Sequence, residues 1–271
     1  CLNGGCVCDV PWAGEQCGVL RVAPGLGSGV DGVPLGAYHG ADNLSTSWGG
    51  SVLHAPEDGL YYMWVAAMAN HCDLTSWEKN SEVHLAASPS PLGPFYKLKT
   101  IVPPWAHNPQ TIRVHDPSSP TGVVYALYTL GDGKAYHGPP GNCTPPSLGR
   151  GLSDVSAAAA TGTASHSSTQ HMGGTITANF TIFWATSPGG EYQAHTASIL
   201  DYPSNFQYGA VGNWNPAPIV HPNGTVYIMV NSGHRGYKQG KAIIGADSWR
   251  GPYRVVAVDC DYRLVGCNWI T

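Results

Sequence analysis

The sequence predicts an all-β fold of the β-propeller type, and three observations support this prediction. A unit made of a polar turn, an alternating strand, a loop, a second strand and an aromatic close occurs three times. Glycine (35) and proline (22) are abundant, as many short strands joined by turns require. The longest apolar runs, such as Val123–Tyr128, have the length of a strand. The three copies of the unit occupy residues 57–96, 121–192 and 223–253.

The repeat also predicts the organisation of the chain. Residues 1–18 form a cysteine-rich segment and residues 19–271 an incomplete propeller, with candidate short strands at 20–22 and 35–39. Three blades leave open strand edges, so we expect either that the natural chain continues, which we favour, or that a partner completes the ring. The predicted blades span about 47–98, 107–194 and 213–256, the second contains a surface insertion at 133–175, and the next blade opens at 267.

The first 18 residues contain four of the eight cysteines. Their pattern of Asn-Gly-Gly, Cys-x-Cys and aromatic-x-Gly-x-x-Cys resembles the C-terminal part of an EGF-like module. The resemblance implies a Cys8–Cys17 bridge, which leaves Cys1 with Cys6. A segment this short cannot bury a core, so these bridges would supply its order.

The other four cysteines suggest two further bridges. Cys72 and Cys143 lie at equivalent positions of neighbouring blades, in the loop between the second and third strands, and a Cys72–Cys143 bridge is expected. Cys260 and Cys267 flank a short turn and could pair locally. Free thiols, or bonds to cysteines outside this sequence, remain alternatives because spacing alone does not fix connectivity.

Composition narrows the class of protein. Only 11% of residues are charged and the formal net charge is −4, so a nucleic-acid partner is disfavoured. No apolar run approaches the roughly 20 residues that a membrane span needs. The chain starts at Cys1, as a mature or excerpted chain would. Clustered cysteines and four N-glycosylation sequons favour a secreted, extracellular or cell-surface glycoprotein, with acceptors at Asn43, Asn142, Asn179 and Asn223.

In a propeller the first strand of each blade lines a central pocket, so function is expected where these strands begin. The three openings are 48–53, 107–112 and 213–219. Their order and phase resemble the five-bladed propeller of glycoside hydrolase family 43, the superfamily of arabinanases and β-xylosidases, over about residues 47–271. The segments 70–81 and 103–109 resemble a poorly characterised branch of that superfamily.

The resemblance implies inverting hydrolysis of glycosidic bonds, which needs one carboxylate as base and one carboxylic acid as proton donor. The family's carboxylate positions fall on Gly49–Gly50, Asn108–Pro109 and Asn215–Pro216, and none of them is acidic. We therefore expect the standard mechanism to be absent. Three alternatives stay open: an acid on a blade outside this sequence, a register shift of one or two residues, or a recruited carboxylate such as Asp132, Glu82, Asp42 or Glu78.

Residues around the predicted pocket suit the binding of sugar. Tryptophans can stack on the C–H face of a pyranose, and His and Asn side chains can hydrogen-bond to hydroxyl groups. The alternative is structural, since tryptophans also wedge between blades and Asn-Pro favours the turn that begins a strand. The candidates are Trp48, His71, Trp77, Asn80, Trp105, His107, Asn108, Trp214 and Asn215.

No cofactor is expected. The 12 histidines include no pair with metal-site spacing in a suitable context, so an ion in the central channel near His107 is the less favoured alternative. The leading hypothesis is an extracellular glycoprotein with a glycosidase-type propeller that binds or processes carbohydrate. The competing hypothesis is a structural or adhesive glycoprotein of a cell wall, matrix or surface filament, which contacts other extracellular glycoproteins through the EGF-like segment.

Overall fold

The protein is almost entirely β-structure. The computed structural model describes residues 7–8, 12–14, 17, 19–20, 38–39, 46–134, 138–143, 176–202, 215–234 and 237–258. Three two-residue strands come first: β1 (Trp12–Ala13), β2 (Val19–Leu20) and β3 (Tyr38–His39). Within the described residues twelve longer strands follow, and they form three successive four-stranded antiparallel units, each of which is a propeller blade. The last strand of the first blade also pairs in parallel with β3. The last strands of the second and third blades pair in parallel with each other, which joins these two blades into one eight-stranded sheet.

The strands of each blade are consecutive in sequence. The first blade contains β4 (Ser47–Ala55), β5 (Leu60–Met68), β6 (Ser81–Ser88) and β7 (Phe95–Val102). The second contains β8 (His107–His115), β9 (Val123–Leu130), β10 (Ile176–Ala185) and β11 (Gln193–Tyr202). The third contains β12 (Ala217–Val220), β13 (Val226–His234), β14 (Tyr237–Ala246) and β15 (Tyr253–Val258).

Among the described residues, helical structure occurs in the loop between β5 and β6. It consists of two 3-10 turns, Ala69–His71 and Leu74–Ser76, and the short helix α1 (Trp77–Asn80). The side chain of Asp73 accepts a hydrogen bond from the backbone N–H of Thr75 and so caps the second turn. Among the described residues, none of the helices has the length and apolar character needed to cross a bilayer.

A tight turn before the fourth strand is common to all three blades. The backbone N–H of Gly93 donates to the carbonyl of Ser90, and the same bond joins Gly190 to Ser187 and Gly251 to Ser248. The aromatic close predicted from the repeat follows each turn, as Phe95, Tyr192 and Tyr253. Because the turn is the same in each blade, each blade presents an aromatic side chain at the same place.

These aromatic side chains are part of the contacts between blades. The indole N–H of Trp64 on β5 donates to the hydroxyl of Tyr192 in the second blade at 2.8 Å. At the next interface, the hydroxyl of Tyr128 on β9 lies 3.1 Å from that of Tyr253 in the third blade. Trp64 pairs with Leu85 on β6, five residues before the turn serine Ser90. Tyr128 pairs in the same way with Ile182 on β10, five residues before Ser187. The two interfaces are therefore equivalent.

The first strands of the blades lie side by side around the centre. Strand β8 contacts both β4 and β12. The side chain of Ser51 on β4 accepts a hydrogen bond from the backbone N–H of Thr111 on β8 at 2.9 Å. Two apolar clusters fill the spaces between the first and second blades and between the second and third blades. This is the radial arrangement in which blade openings face one central region.

Two disulfides lie within the described residues. One joins Cys8 to Cys17 in the N-terminal segment, and the other joins Cys72 to Cys143 across the first two blades. Cys1, Cys6, Cys260 and Cys267 lie outside the described residues.

Candidate functional site

The three blade openings share one backbone conformation. Gly49, Asn108 and Asn215 have φ values of 63°, 47° and 40°, in the left-handed region. At the first two positions the pairing with the next strand shifts register, between Trp48 and Gly50 and between His107 and Gln110, as at a β-bulge. Glycine and asparagine are the residues that most readily adopt this conformation, which explains their presence here.

The side chains at these openings meet. The amide Nδ2 of Asn108 donates to Oδ1 of Asn215 at 2.8 Å, although 107 residues separate them. A Cβ atom on Gly49 would lie 2.6 Å from Oδ1 of Asn108, so the backbone of the first opening lies directly against this amide. We call Asn108 and Asn215 the axial amide pair. The three positions at which the family resemblance placed carboxylates thus lie together, and two of them carry carboxamides.

The chemistry of the axial amide pair is restricted. A carboxamide has two N–H donors and an oxygen acceptor, so the pair retains hydrogen-bonding capacity beyond its mutual bond. It has no group that accepts a proton as a base or releases one as an acid near neutral pH. The pair can therefore hydrogen-bond to hydroxyl groups, but it cannot perform the acid–base steps of inverting hydrolysis.

His107 lies immediately before Asn108 and is 5% exposed. Its Nδ1 is hydrogen-bonded to Oγ of Ser81 at 2.7 Å, and its ring centroid lies 5.1 Å from that of Trp77. Burial disfavours the charged imidazolium and lowers the pKa of His107 to about 4. At neutral pH this side chain is therefore an uncharged hydrogen-bonding group.

The four candidate tryptophans have different surroundings. Trp48, beside Gly49, is 53% exposed and offers an open aromatic surface at the first opening. Trp77 is half-buried between Trp105 and His107. Trp105 is 5% exposed and belongs to the core between the second and third blades, so the structure gives it a packing role. Trp214 lies outside the described residues.

A group of residues joins the loops of the first and second blades, and we call it the clasp: Asn70, Cys72, Asn80, Gly141 and Cys143. The buried amide of Asn80 donates to the carbonyls of Ala69 at 3.1 Å and Gly141 at 2.7 Å, and it accepts from the N–H of Gly141 at 3.2 Å. Asn70 adds a hydrogen bond to the carbonyl of Gly141 at 3.1 Å. The Cys72–Cys143 disulfide completes the clasp.

The clasp contains or adjoins two of the residues that the sequence suggested for sugar binding, Asn80 and His71. Asn80 is 1% exposed and its hydrogen bonds hold the two loops together, so the structure gives it a structural position rather than a ligand contact. His71 is half-buried in the first 3-10 turn and has φ 57°. Both residues lie on the loop that carries Trp77.

The candidate carboxylates already have partners. Oε1 of Glu82 lies 2.5 Å from Nε2 of His84, on β6, two strands out from β4 and so about 10 Å from it at the usual strand spacing. Asp132 accepts from the backbone N–H of Lys134 and lies 3.7 Å from its ammonium group. Glu78 is exposed on α1, and Asp42 lies outside the described residues.

Sequence reasoning did not identify two residues that support the site. Ser81 is fully buried and hydrogen-bonded to His107. Gln110 donates from Nε2 to the carbonyl of Gly50 at 3.2 Å and so joins the first two openings. Gln110 lies two residues after Asn108, so its place in the blade opening could have identified it as a site residue. Nothing in the sequence distinguishes Ser81 from other serines.

Within the described ranges, no three His, Cys, Asp or Glu side chains are arranged to hold a metal ion. Three of the four sequon asparagines are described, and Asn142, Asn179 and Asn223 are all exposed. Oδ1 of Asn223 accepts from the backbone N–H of Thr225 at 3.0 Å, at the tip of the β12–β13 hairpin. Asn43 lies outside the described residues.

Comparison with known proteins returned only remote structural similarity. No family model and no curated protein matches the sequence. A family 117 glycoside hydrolase from the marine bacterium Zobellia galactanivorans aligns with a TM-score of 0.46 and 14% identity, over 82% of this chain and 59% of that one. An exo-β-1,3-galactanase from Phanerochaete chrysosporium gives 0.44 and 13%, over 82% of this chain and 39% of that one.

A third solved structure, a family 43 glycoside hydrolase from Bacillus licheniformis, gives a TM-score of 0.41 and 12% identity over 76% of this chain and 29% of its own length. The chain thus spans less than two thirds of each of these enzymes. At such low identity and TM-score, their activities are not transferred to this chain, whose fold is an all-β propeller by its own strand order.

Proposed function

We propose that this protein is an extracellular carbohydrate-binding propeller that does not hydrolyse its ligand through the axial site. The observation that carries the proposal is the hydrogen bond between Asn108 and Asn215, at the place where hydrolysis would need carboxylates. The two amides supply hydrogen bonds to hydroxyl groups and provide neither an acid nor a base at these two positions.

The neighbouring side chains suit a sugar ring. Trp48 is exposed beside the first opening, and an indole plane packs well on the C–H face of a pyranose. His107 lies buried behind Asn108 and is neutral because of its burial, so it places no charge beside the axial amide pair. An uncharged polar site with one aromatic surface favours a neutral oligosaccharide over an anionic one.

An extracellular location is part of the proposal. The disulfides of the described residues persist in oxidising compartments. The sequons at Asn142, Asn179 and Asn223 have exposed side chains, as glycosylation requires. Treatment of protein from a eukaryotic host with peptide N-glycosidase, followed by mass spectrometry, tests this part; three unmodified sites would contradict it.

The binding proposal is tested with protein produced in a host that does not N-glycosylate. We expect a signal on a glycan array and, by calorimetry, binding of arabinan- or xylan-derived oligosaccharides or of the ligand that the array identifies. Asn108→Ala and Asn215→Ala should each weaken binding by about tenfold or more, because a hydrogen-bonding partner of the hydroxyl groups is lost.

The matched control is Asn179→Ala, which removes an exposed amide on β10 and should leave the affinity unchanged. Incubation of the wild-type protein with arabinan and xylan should release no products. Absence of any glycan binding would contradict the proposal, and turnover that survives in the Asn108→Ala variant would place an acid elsewhere.

One observation favours the second candidate, a structural or adhesive glycoprotein. The face of the third blade that points away from the second exposes Ile219, Met229 and Val256, at 63%, 48% and 58%. Apolar side chains on an open sheet face can pack against another β-surface. Light scattering would favour this candidate if the protein forms assemblies that Met229→Lys disperses while glycan binding is absent.

A further inference from the structure

We propose that the clasp is a positioning device for the axial amide pair, so that opening the Cys72–Cys143 disulfide loosens Asn108. The coupling runs from the clasp through Ser81 and His107. Its effect on ligand affinity rests on the proposed function, whereas the structural coupling itself does not.

The first step is the attachment of the second blade's loop to the first blade. The carbonyl of Gly141 accepts from both Asn70 and Asn80, at 3.1 Å and 2.7 Å. The disulfide joins Cys143, two residues further on, to Cys72, which is fully buried. Asn80 therefore has its amide fixed by a segment that the disulfide joins covalently to the first blade, beside a backbone hydrogen bond from Cys143 to the carbonyl of Asn70 at 3.3 Å.

The second step is the contact between Ser81 and the opening of the second blade. Ser81 follows Asn80 directly and is fully buried at the start of β6. Its Oγ is hydrogen-bonded to Nδ1 of His107 at 2.7 Å, and its carbonyl accepts from the N–H of Ala106 at 2.8 Å. A single residue thus holds the two residues that immediately precede Asn108.

The third step is a ring contact with the same imidazole. Trp77 begins α1, the helix that ends at Asn80, and its ring packs against that of His107. His107 is therefore held by a hydrogen bond from the start of β6 and by a ring contact from the loop that the clasp anchors. Asn108 follows His107 directly, in a left-handed conformation that neighbouring contacts must maintain.

The consequence is a dependence of the axial site on the redox state of one bridge. With the bridge open, Gly141 is held to the first blade by amide hydrogen bonds, each of which contributes only about 1 kcal/mol. Movement of Asn80 shifts Ser81, and His107 then loses the support that sets the position of Asn108. A weaker hydrogen bond from Asn108 to Asn215 is the measurable sign that His107 no longer fixes the position of Asn108.

The experiment uses the full chain labelled with ¹⁵N and follows the side-chain amide of Asn108 by nuclear magnetic resonance. The Asn108→Ala variant assigns its signals. In the Cys72→Ala/Cys143→Ala variant we expect hydrogen exchange of that amide to become at least about fivefold faster. The backbone amides of β9 should keep their protection, which shows that the blades remain folded.

A second variant keeps the test decisive if the double cysteine variant does not fold. Ser81→Ala leaves the clasp intact and removes the hydroxyl that holds His107, and it should accelerate exchange at Asn108 to a similar extent. The matched control is Cys8→Ala/Cys17→Ala, which removes the other described bridge and should leave this amide unchanged. Unchanged exchange in both folded test variants, or equal acceleration in the control, would overturn the proposal.

Ligand binding provides a separate readout. If the wild-type protein binds the array-identified oligosaccharide, the Cys72→Ala/Cys143→Ala variant should bind it about fivefold more weakly, and so should wild-type protein reduced with a phosphine. If the wild-type protein binds no glycan, the proposed function fails while the exchange measurement still decides the coupling.

Discussion

Asn108 and Asn215 serve the backbone and the site at once. Each has a left-handed φ, which costs most other residues roughly 1–2 kcal/mol. Each also has an amide that bonds to the other across the centre of the blades. A residue at either opening must satisfy both demands, and this double requirement restricts the choice to very few amino acids.

Gly49 provides a test of this packing at the residue scale. A Cβ atom here would lie 2.6 Å from Oδ1 of Asn108, so Gly49→Ala should displace the axial amide pair and lower the free energy of unfolding by about 2 kcal/mol. Urea denaturation measures the change in stability, and the side-chain amide signals of Asn108 report the displacement.

The matched control is Gly59→Ala. Gly59 also has positive φ, 75°, but no atom lies within 4 Å of the added Cβ. Its cost should therefore be limited to backbone strain of about 1 kcal/mol, with unchanged signals for Asn108. Equal behaviour of the two variants would show that contact with Asn108 is unimportant.

His107 makes stability depend on pH. Its folded pKa of about 4 lies below the value of about 6.5 for an unfolded histidine, so between these values the unfolded state binds more protons. The stabilisation associated with the neutral ring is complete above pH 6.5 and is lost as the pH falls towards 4. At 1.36 kcal/mol per pKa unit the loss is up to about 3 kcal/mol.

Urea denaturation at pH 7 and pH 4.5 measures this effect. His107→Gln, which preserves a hydrogen-bonding side chain without an ionisable group, should reduce the loss of stability between the two pH values. An identical pH dependence in the wild-type protein and the variant would contradict the assignment.

At the scale of elements, the strands were predictable and the roles of several side chains were not. Alternating apolar residues with a polar turn and an aromatic close specify a strand whatever surrounds it, so the units around Val123–Tyr128 could be located. The outer strands nevertheless run further than the blade limits drawn from sequence, to Val102, Tyr202 and Val258. Hydrogen bonding to the neighbouring strand extends them beyond the periodic segment.

For the candidate site, the positions of the blade openings were predictable from the sequence, but the surroundings of the individual side chains were not. The phase of the repeat placed Gly49, Asn108 and Asn215 at equivalent openings, and this requires only counting along the strands. Whether Trp105 or Asn80 faces a ligand depends on what covers it, which is a property of distant loops. The sequence contains no local signal for the contact of Ser81 with His107, because 26 residues separate the two and only the blade geometry brings them together.

The clasp is the element whose loss should affect stability most. The Cys72–Cys143 bridge spans 71 residues, and closing such a loop restricts the unfolded chain by about 4 kcal/mol in the chain-entropy treatment. Cys72→Ala/Cys143→Ala should lower the free energy of unfolding by about 2–4 kcal/mol. Thermal and urea unfolding followed by tryptophan fluorescence measure it.

The comparison with the N-terminal bridge is informative. Cys8 and Cys17 are separated by only nine residues and precede the first blade. Their replacement by alanine should leave unfolding of the blades within about 0.5 kcal/mol of the wild-type value. A larger effect than that of the clasp variant would mean that the N-terminal segment stabilises the propeller.

At the scale of the whole molecule, two equivalent interfaces hold three blades together. Tyr253 is central to the second interface, because it donates to the carbonyl of Trp249 at 2.8 Å and accepts from Tyr128. Tyr192 has the corresponding place in the first interface, where its hydroxyl accepts from Trp64. Burial raises the pKa of both phenols, so they remain neutral hydrogen-bonding groups.

Replacement of these two tyrosines should lower the free energy of unfolding by different amounts. Tyr253→Phe leaves a buried carbonyl and a buried hydroxyl without their partner and should cost about 2–3 kcal/mol, whereas Tyr192→Phe leaves only the indole N–H of Trp64 and should cost about 1–2 kcal/mol. Urea denaturation of the two variants measures the difference. The reverse order would contradict the assignment of two hydrogen bonds to the hydroxyl of Tyr253.

The backbone of the blade openings has a consequence for the redesign of this protein. Aspartate tolerates the left-handed conformation nearly as well as asparagine and has the same shape. Exchange between an acid and an amide at Asn108 or Asn215 would thus leave the main chain undisturbed. A carboxylate can therefore be placed at either opening by a conservative replacement on an unchanged backbone, and it would then face the partner amide directly.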